Sequence, residues 1–363
     1  MKITSVQLEK FRNYNSQNIR FGDGLNVLYG KNGAGKTNAL ESVYLLSLFT
    51  SPRTTKDKEL VMFGAEKAKI KATVEKKFGT HTVAMQIEAN GKKKVAVDGL
   101  PVKRAAELIG VLGVVYFSPD EMRLVKETPA ERRRFLDVGL SQQQKAYFSA
   151  LSRYNKVLKQ KNNLLKDNRY AHNADDMLSV WDAQLAEYGA ALVFRRKRYV
   201  EQLNAAAAKY HAAISENKEN LSLTYETPMR AADEAGLKEE LYLKIVQSRE
   251  KDKQLGFGTV GPHRDDIAIC LNGTDARKFA SQGQQRSIAL AMKFGEVEMF
   301  SSESGETPVL LLDDVMSELD EVRQRQLVEL TAGIQTILTC TEFRLNVNCR
   351  RILIEDGRAA DGD

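Results

Sequence analysis

Gly30-Lys-Asn-Gly-Ala-Gly-Lys-Thr37 follows the apolar run Leu25-Asn-Val-Leu-Tyr29 and precedes a stretch of helical composition, Asn38 to Phe49. A strand, a glycine-rich turn and a helix in that order fit the phosphate-loop pattern GxxxxGK[ST]. Glycines at 30, 33 and 35 let backbone N–H groups turn toward an anion with no Cβ in the way. A helix beginning near Lys36 offers the positive end of its dipole to the same anion. Lys36 is the candidate contact to the β- and γ-phosphates, and Thr37 the candidate Mg²⁺ ligand. Gly30, Lys31, Asn32, Gly33, Ala34, Gly35, Lys36, Thr37 and Asn38 therefore form the first candidate binding set, with ATP and Mg²⁺ the implied cofactors.

The second half of such a site stands far along the chain. Val309-Leu-Leu-Leu-Asp313-Asp314 is an apolar run that suits a parallel strand covered on both faces, ending in two carboxylates. Carboxylates at the C-terminal end of a strand lie where α/β sheets place ligands. Asp313 is the candidate Mg²⁺ partner, direct or through water. Asp314 is the candidate general base for the attacking water. Ser281-Gln-Gly283-Gln284-Gln285 opens a helix over Gly283–Phe300, so Ser281, Gly283 and Gln284 offer a hydroxyl and free backbone donors to an anion. An ordinary helix cap explains the same residues.

Around these motifs the chain reads as a mixed α/β domain interrupted by helices. Residues Ile70–Val74, Val83–Ile87 and Val95–Val97 alternate with a period of two, the pattern of antiparallel strands with one buried face. Further strands are expected at 111–117, 267–271, 309–312 and 336–338. Helices are expected at 129–143, 144–167 and 175–211. The expected divisions are 1–118 with the phosphate loop, a helical basic lobe over 119–255, and 256–363 with the remaining motifs.

All 363 residues carry 54 basic and 48 acidic side chains, a net +6, and the 42% hydrophobic content is enough for a core. The basic residues are unevenly spread: Glu121 to Arg169 holds twelve basic residues against five acidic ones. Arg132-Arg133-Arg134, Lys156, Lys159 and Lys161, and Arg195-Arg196-Lys197-Arg198 form clusters without matching acids nearby, which favours phosphate neutralisation on double-stranded DNA over a merely solvated helix face. Cys270, Cys340 and Cys349 form no CxxC pair, so neither a disulfide framework nor a cysteine zinc site is expected. No apolar run of eighteen residues and no leader-like N-terminus occur, which points to a cytoplasmic chain with no membrane span.

The three nucleotide motifs in this order, followed by Ser317-Glu-Leu-Asp320, resemble the ABC-type ATPase head. Phe11-Arg12-Asn13-Tyr14, Phe117-Ser-Pro119, Glu131-Arg-Arg-Arg-Phe-Leu-Asp137 and Gly261-Pro-His-Arg-Asp-Asp266 narrow the resemblance to the RecF family of bacterial replication and repair proteins, relatives of the SMC family. The resemblance implies an SMC-like head with an inserted α-helical lobe and no long coiled coil. It also implies an ATP-dependent homodimer in which Ser281–Gln285 of one subunit closes over the ATP of the other. Binding to double-stranded and gapped DNA, slow DNA-stimulated ATP hydrolysis, and action with RecO and RecR to load RecA follow from it too. In related heads the residues at Arg12 and Asn13 touch the nucleotide, Arg12 at a phosphate and Asn13 at the base pocket. Asp314 stands where many such heads have Glu, which implies slow hydrolysis. Ile337-Leu-Thr-Cys-Thr341 lacks the usual switch histidine, leaving Thr339 and Thr341 as weak γ-phosphate candidates. His263-Arg-Asp-Asp266 is read as structural or phosphate-adjacent. A transporter's nucleotide-binding subunit is the rival reading, but it accounts for no basic helical insertion. An SMC-like tether is a second rival and requires heptads that are absent.

Overall fold

The computed structural model describes residues 1–103, 105–166 and 174–362. Asp167 and Arg169 of the basic stretch lie outside the described residues. The chain divides into two compact units, Met1–Glu121 with Lys293–Asp363, and Met122–Met292.

The first unit holds two six-stranded sheets. One is antiparallel throughout, in the spatial order Tyr14–Arg20, Lys2–Phe11, Lys67–Lys76, Gly79–Glu88, Lys93–Val97 and Leu100–Pro101. Its alternation is the one the sequence shows: Ala68, Ile70, Ala72 and Val74 are buried and oppose Ile87, Met85, Val83 and His81. Ile3 and Val6 are both buried although an odd step separates them. A β-bulge between Ile3 and Ser5 changes the phase of the strand and brings both to the inner face.

The other sheet runs Arg358–Asp361, Arg350–Glu355, Leu25–Tyr29, Thr336–Cys340, Val309–Asp313 and Val114–Phe117. All its pairs are parallel except the terminal hairpin. All five residues of Val309–Asp313 are buried, which is why four apolar residues run together there. The helix Lys36–Leu48 belongs to the same buried cluster as both sheets: its Leu40, Val43 and Leu45 join Ile70 and Met85 of one and Leu28, Leu311 and Ile337 of the other. A glycine-rich loop that contributes only Ala34 to this cluster is thereby fixed between a buried strand and a buried helix.

The second unit includes helices Pro129–Gln143, Lys145–Lys166, Ala174–Ile214, Glu234–Gln247 and Arg249–Leu255, with a three-stranded antiparallel sheet of Thr274–Asp275, Asp266–Leu271 and Leu221–Glu226. The boundary expected at 255 lies instead at 292. Residues 256–292 belong with the helices because Asp266–Leu271 pairs along its whole length with Leu221–Glu226. Among the described residues no helix is long and apolar enough to cross a membrane.

Candidate nucleotide site and nucleic-acid interface

Gly30 and Gly35 shape the phosphate loop. Gly30 has φ +144° and its missing Cβ would lie 2.2 Å from the Ile354 carbonyl oxygen. Gly35 has φ +120°, and a Cβ there would meet the Asn13 amide at 2.7 Å. Only glycine fits either place. The helix that follows has no side-chain cap at Gly35, so the cap position itself sets no side chain between its first-turn donors and an anion.

Lys36 is buried, and its Nζ donates to the carbonyl oxygens of Gly30 at 2.7 Å and Lys31 at 2.8 Å. Burial lowers its pKa, while the carboxylates of Asp314 and Asp313 pull the other way. The ammonium is thus held over the loop near two acids.

Thr37 Oγ1 donates to Asp313 Oδ1 at 2.9 Å, which brings together the expected Mg²⁺ ligands from opposite ends of the chain. Asp313 is almost wholly buried and accepts two further hydroxyls, Thr339 at 2.7 Å and Tyr116 at 3.1 Å. Tyr116 escaped the sequence reading, although it lies on the strand ending at Phe117. Burial foremost, with Asp313 beside it, raises its pKa, so the phenol remains a neutral donor. A hydroxyl and a carboxylate held in reach of each other are a hard-oxygen pair suited to Mg²⁺.

Asp314 has φ +51°, in the left-handed region, directly after the strand ends. Its N–H donates to Thr339 Oγ1 at 2.9 Å and to the Thr339 carbonyl oxygen at 3.2 Å. The neighbouring strand thus fixes the turn that sets the direction of the second acid. Thr339, a γ-phosphate candidate by sequence, instead has its hydroxyl engaged between Asp313 and the Asp314 backbone. Thr341 is exposed.

Arg12 has an acidic partner within the fold. Its guanidinium is held by the buried Glu41, through Nε at 2.9 Å and Nη2 at 2.8 Å, and by the Glu59 carbonyl oxygen at 2.9 Å. The carboxylate that holds it lies on the phosphate-loop helix. Nothing in a single sequence marks Glu41 as its partner. Asn13 donates to the Ala34 carbonyl oxygen and accepts from Asn38, both at 2.9 Å, and so braces the loop directly. Arg12, Asn13, Asn38, Arg53, Val61 and Phe63 are among the residues that line a cavity of about 790 Å³.

In the second unit Ser281 precedes the helix Gln282–Ser304 and forms a reciprocal cap with Gln284. The Ser281 N–H donates to Gln284 Oε1 at 2.7 Å, and the Gln284 N–H to Ser281 Oγ at 3.3 Å. The segment is therefore a cap, and Ser281 is also exposed. Gly283 is partly buried in the same first turn.

The basic clusters separate into two kinds. Arg132, Lys161 and Arg196 are buried and cannot face a nucleic acid. Arg132 grips Asp266 with Nε at 2.6 Å and Nη2 at 2.8 Å. Lys161 stands 2.9 Å from both Asp182 and Asp252. Arg196 pairs with Asp137 at 2.7 Å and donates to Tyr147 and the Pro262 carbonyl oxygen. Arg133 donates to the Asp265 carbonyl oxygen, Arg195 to Glu234, and Lys197 to the Met229 and Ala231 carbonyl oxygens. Arg134, Lys156, Lys159 and Arg198 are exposed. The matching acids exist but are distant in sequence, which is why counting local charge missed them.

His263 explains part of the Gly261–Asp266 motif. Its Nδ1 accepts from Tyr154 at 2.6 Å and its Nε2 lies 3.0 Å from the Gly258 carbonyl oxygen. Burial foremost lowers its pKa to about 4, so it is neutral. Among the described residues no group of three or more histidines, cysteines and acids is arranged to hold a metal.

A parallel sheet with a phosphate loop at the end of one strand and paired carboxylates at the end of another, in a chain that also carries a helical unit, define a P-loop ATPase head of the SMC type. Residues 2–351 match the RecF/RecN/SMC N terminal domain. A curated RecF of Agathobacter rectalis, a DNA replication and repair protein, is 44% identical over 341 residues, covering 94% of this chain and 92% of that one. A solved structure described as the recombination mediator protein RecF-ATPrS in the RecFOR pathway superposes with TM-score 0.93 at 35% identity, covering 99% of this chain and 98% of that one. An Smc head bound to the C-winged helix domain of ScpA shares the fold at 15% identity, TM-score 0.58, covering 99% of this chain and 96% of that one. The chain belongs to the RecF family of DNA replication and repair proteins. The transporter reading is thereby set aside.

Proposed function

We propose that this chain binds ATP at Gly30–Asn38, with Lys36 on the β- and γ-phosphates and Thr37 and Asp313 holding Mg²⁺. The observation that carries the reading is the Thr37–Asp313 pair, which brings the two halves of the site into hydrogen-bond contact. Bound Mg²⁺ would neutralise charge on the phosphate oxygens. Asn13 fixes the loop carbonyl, Lys36 supplies the mobile positive charge, and Asp314 accepts the proton of the attacking water. The cavity beside Asn13 and Asn38 takes the base and ribose. Aspartate in place of the longer glutamate makes hydrolysis slow.

The homodimer, formed when ATP is bound, places Ser281 and Gly283 of one copy at the γ-phosphate of the other, and reciprocally. The unit Met122–Met292 contacts double-stranded DNA through Arg134, Lys156, Lys159 and Arg198, the basic residues left exposed. DNA near gaps stimulates the ATPase, and the cytoplasmic protein acts with RecO and RecR to place RecA. The relatives described with ATP and in the RecFOR pathway support this reading. The experiment is DNA binding with and without ATP on gapped, duplex and single-stranded substrates; nucleotide-independent binding of equal strength to all three overturns it.

A further inference from the structure

Glu219 has no part in the site described so far, yet its carboxylate joins the end of a long helix to the signature cap. Within the second unit, His211 lies on the last turn of Ala174–Ile214 and is fully buried. Its Nε2 stands 3.0 Å from Glu219 Oε2, while its Nδ1 has no hydrogen-bond partner among the described residues, so the ring donates through Nε2–H. The other carboxylate oxygen, Oε1, accepts from Gln284 Nε2 at 2.8 Å. Gln284 is the residue whose Oε1 accepts the Ser281 N–H.

The chemistry of these groups fixes one orientation. A carboxylate only accepts, so the Gln284 amide must turn its NH₂ toward Glu219. Its oxygen then has to face the Ser281 N–H. The flipped amide would set oxygen against carboxylate and NH₂ against N–H, two repulsive contacts in place of two bonds. With the Ser281 N–H satisfied and its Oγ accepting from the Gln284 N–H, the Ser281 hydroxyl proton is directed to neither.

We propose that Glu219 is a positioning residue of the signature segment: by fixing the Gln284 amide it holds Ser281 with its hydroxyl proton available to the nucleotide of a second copy. The inference rests on the reading that this segment closes over ATP across a dimer. His211 in turn fixes the carboxylate, so the end of the long helix and the cap are one hydrogen-bonded chain.

The test uses the full chain and light scattering with ATP, beside ATP affinity measured on dilute protomers. Glu219→Ala should raise the protein concentration for half-dimerisation about tenfold, the scale of a lost cap, and leave protomer affinity within about twofold. Gln284→Glu sets two carboxylates against each other and should lose about as much. Adding Glu219→Gln to it restores the pattern with the groups exchanged: the substituted amide donates to the carboxylate at 284 and accepts from His211. This exchanged pair should regain most of the loss, a recovery that a merely structural role for Glu219 does not give, and it carries the test should Glu219→Ala unfold. An exchanged pair no better than Gln284→Glu alone overturns the inference. So does parental dimerisation by Glu219→Ala while Ser281→Arg stays monomeric, and the dimer reading then survives. If Ser281→Arg also dimerises with ATP, that reading falls and takes the inference with it.

Discussion

Thr37 Oγ1 and Asp313 Oδ1 lie 2.9 Å apart although 276 residues separate them, and Thr339 donates to the same oxygen at 2.7 Å. The phosphate loop and the acid strand are not adjacent: Thr336–Cys340 runs between Leu25–Tyr29 and Val309–Asp313. The intervening strand supplies the hydroxyl that holds Asp313 in line with the loop. Thr339→Val is nearly isosteric and removes that donor as well as the acceptor for the Asp314 N–H. It should reduce turnover more than ATP affinity, with kcat down about tenfold or more, since a lost hydrogen bond to a charged group costs about 1.5–3 kcal/mol. Steady-state kinetics beside equilibrium binding separates the two; an unchanged kcat would return Thr339 to a packing role.

Lys36→Ala should weaken ATP binding about a hundredfold. The Nζ that now bonds to two loop carbonyls is the group positioned to turn toward phosphate, and charge-assisted bonds are about twice as strong as neutral ones. Isothermal titration of both proteins with ATP measures it. Affinity equal to the parent's would remove the loop from the nucleotide site.

Asp314→Asn should bind ATP as the parent does and accumulate as the ATP-bound dimer, with hydrolysis down about 10²-fold or more. Asparagine tolerates φ +51° as readily as aspartate, so the turn should survive the change. Single-turnover hydrolysis and light scattering check the two halves. Parental hydrolysis would place the base elsewhere.

Removing the positive charge should give different results at neighbouring residues. Arg134→Glu with Arg198→Glu should leave folding intact and make the salt dependence of duplex binding shallower by about 2 in log–log slope. Arg132→Ala should instead destabilise the fold by about 3 kcal/mol, because it strands Asp266. Salt titrations and urea unfolding tell them apart. An unchanged slope in the exposed pair would return it to a solvated face.

The contrast between Arg132 and Arg134 also shows what the sequence reveals. Helix Pro129–Gln143 lies where its composition predicts, and so do the loop, the acid strand and the alternating strands, because each rests on local periodicity or turn chemistry. The fate of each arginine does not. Asp266 lies 134 residues from Arg132, and Asp182 and Asp252 approach Lys161 from two other helices. Local charge is visible in sequence; burial and distant partners are set by tertiary packing. Glu41 and Tyr116 were hidden for the same reason, since an acid in a helix and a tyrosine in a strand carry no mark of what they will touch.

His263 gives the second unit a pH dependence of definite sign. Its folded pKa is lowered to about 4 by burial, then by the cations Arg264, Arg133 and Lys161, against the hydrogen bond to Gly258. The unfolded ring titrates near 6.5. Between these values the unfolded chain binds the extra proton, so stability is full above about pH 6.5 and falls as the pH drops toward 4. The full shift corresponds to about 3 kcal/mol. His263→Gln should be less stable at pH 7, through loss of the Tyr154 and Gly258 bonds, yet show a flatter profile between pH 6.5 and 4.5. Urea unfolding at both pH values, taken as a difference of differences, cancels the other carboxylates. Parallel profiles for the two proteins would mean that His263 does not titrate in this window.

The assembly prediction follows from the cap at Ser281. ATP favours a dimer only by interactions that the closed pair makes and the separate protomers lack. Ser281 is exposed, and its Oγ accepts from the Gln284 N–H at 3.3 Å. Ser281→Arg removes that acceptor and sets a long cation where, in the proposed dimer, hydroxyl and backbone donors would approach a second copy's γ-phosphate. The phosphate loop lies in the other unit of the chain and keeps every bond described for Lys36, Thr37 and Asn13. Protomer ATP affinity should therefore change less than about twofold, the scale expected of a site that has lost no contact. ATP-dependent dimerisation and hydrolysis should both vanish. Light scattering with and without ATP, beside ATP titration of the dilute variant, measures both parts. A variant that binds ATP and still dimerises would show that the signature segment is not at the interface, and the γ-phosphate would then need another partner.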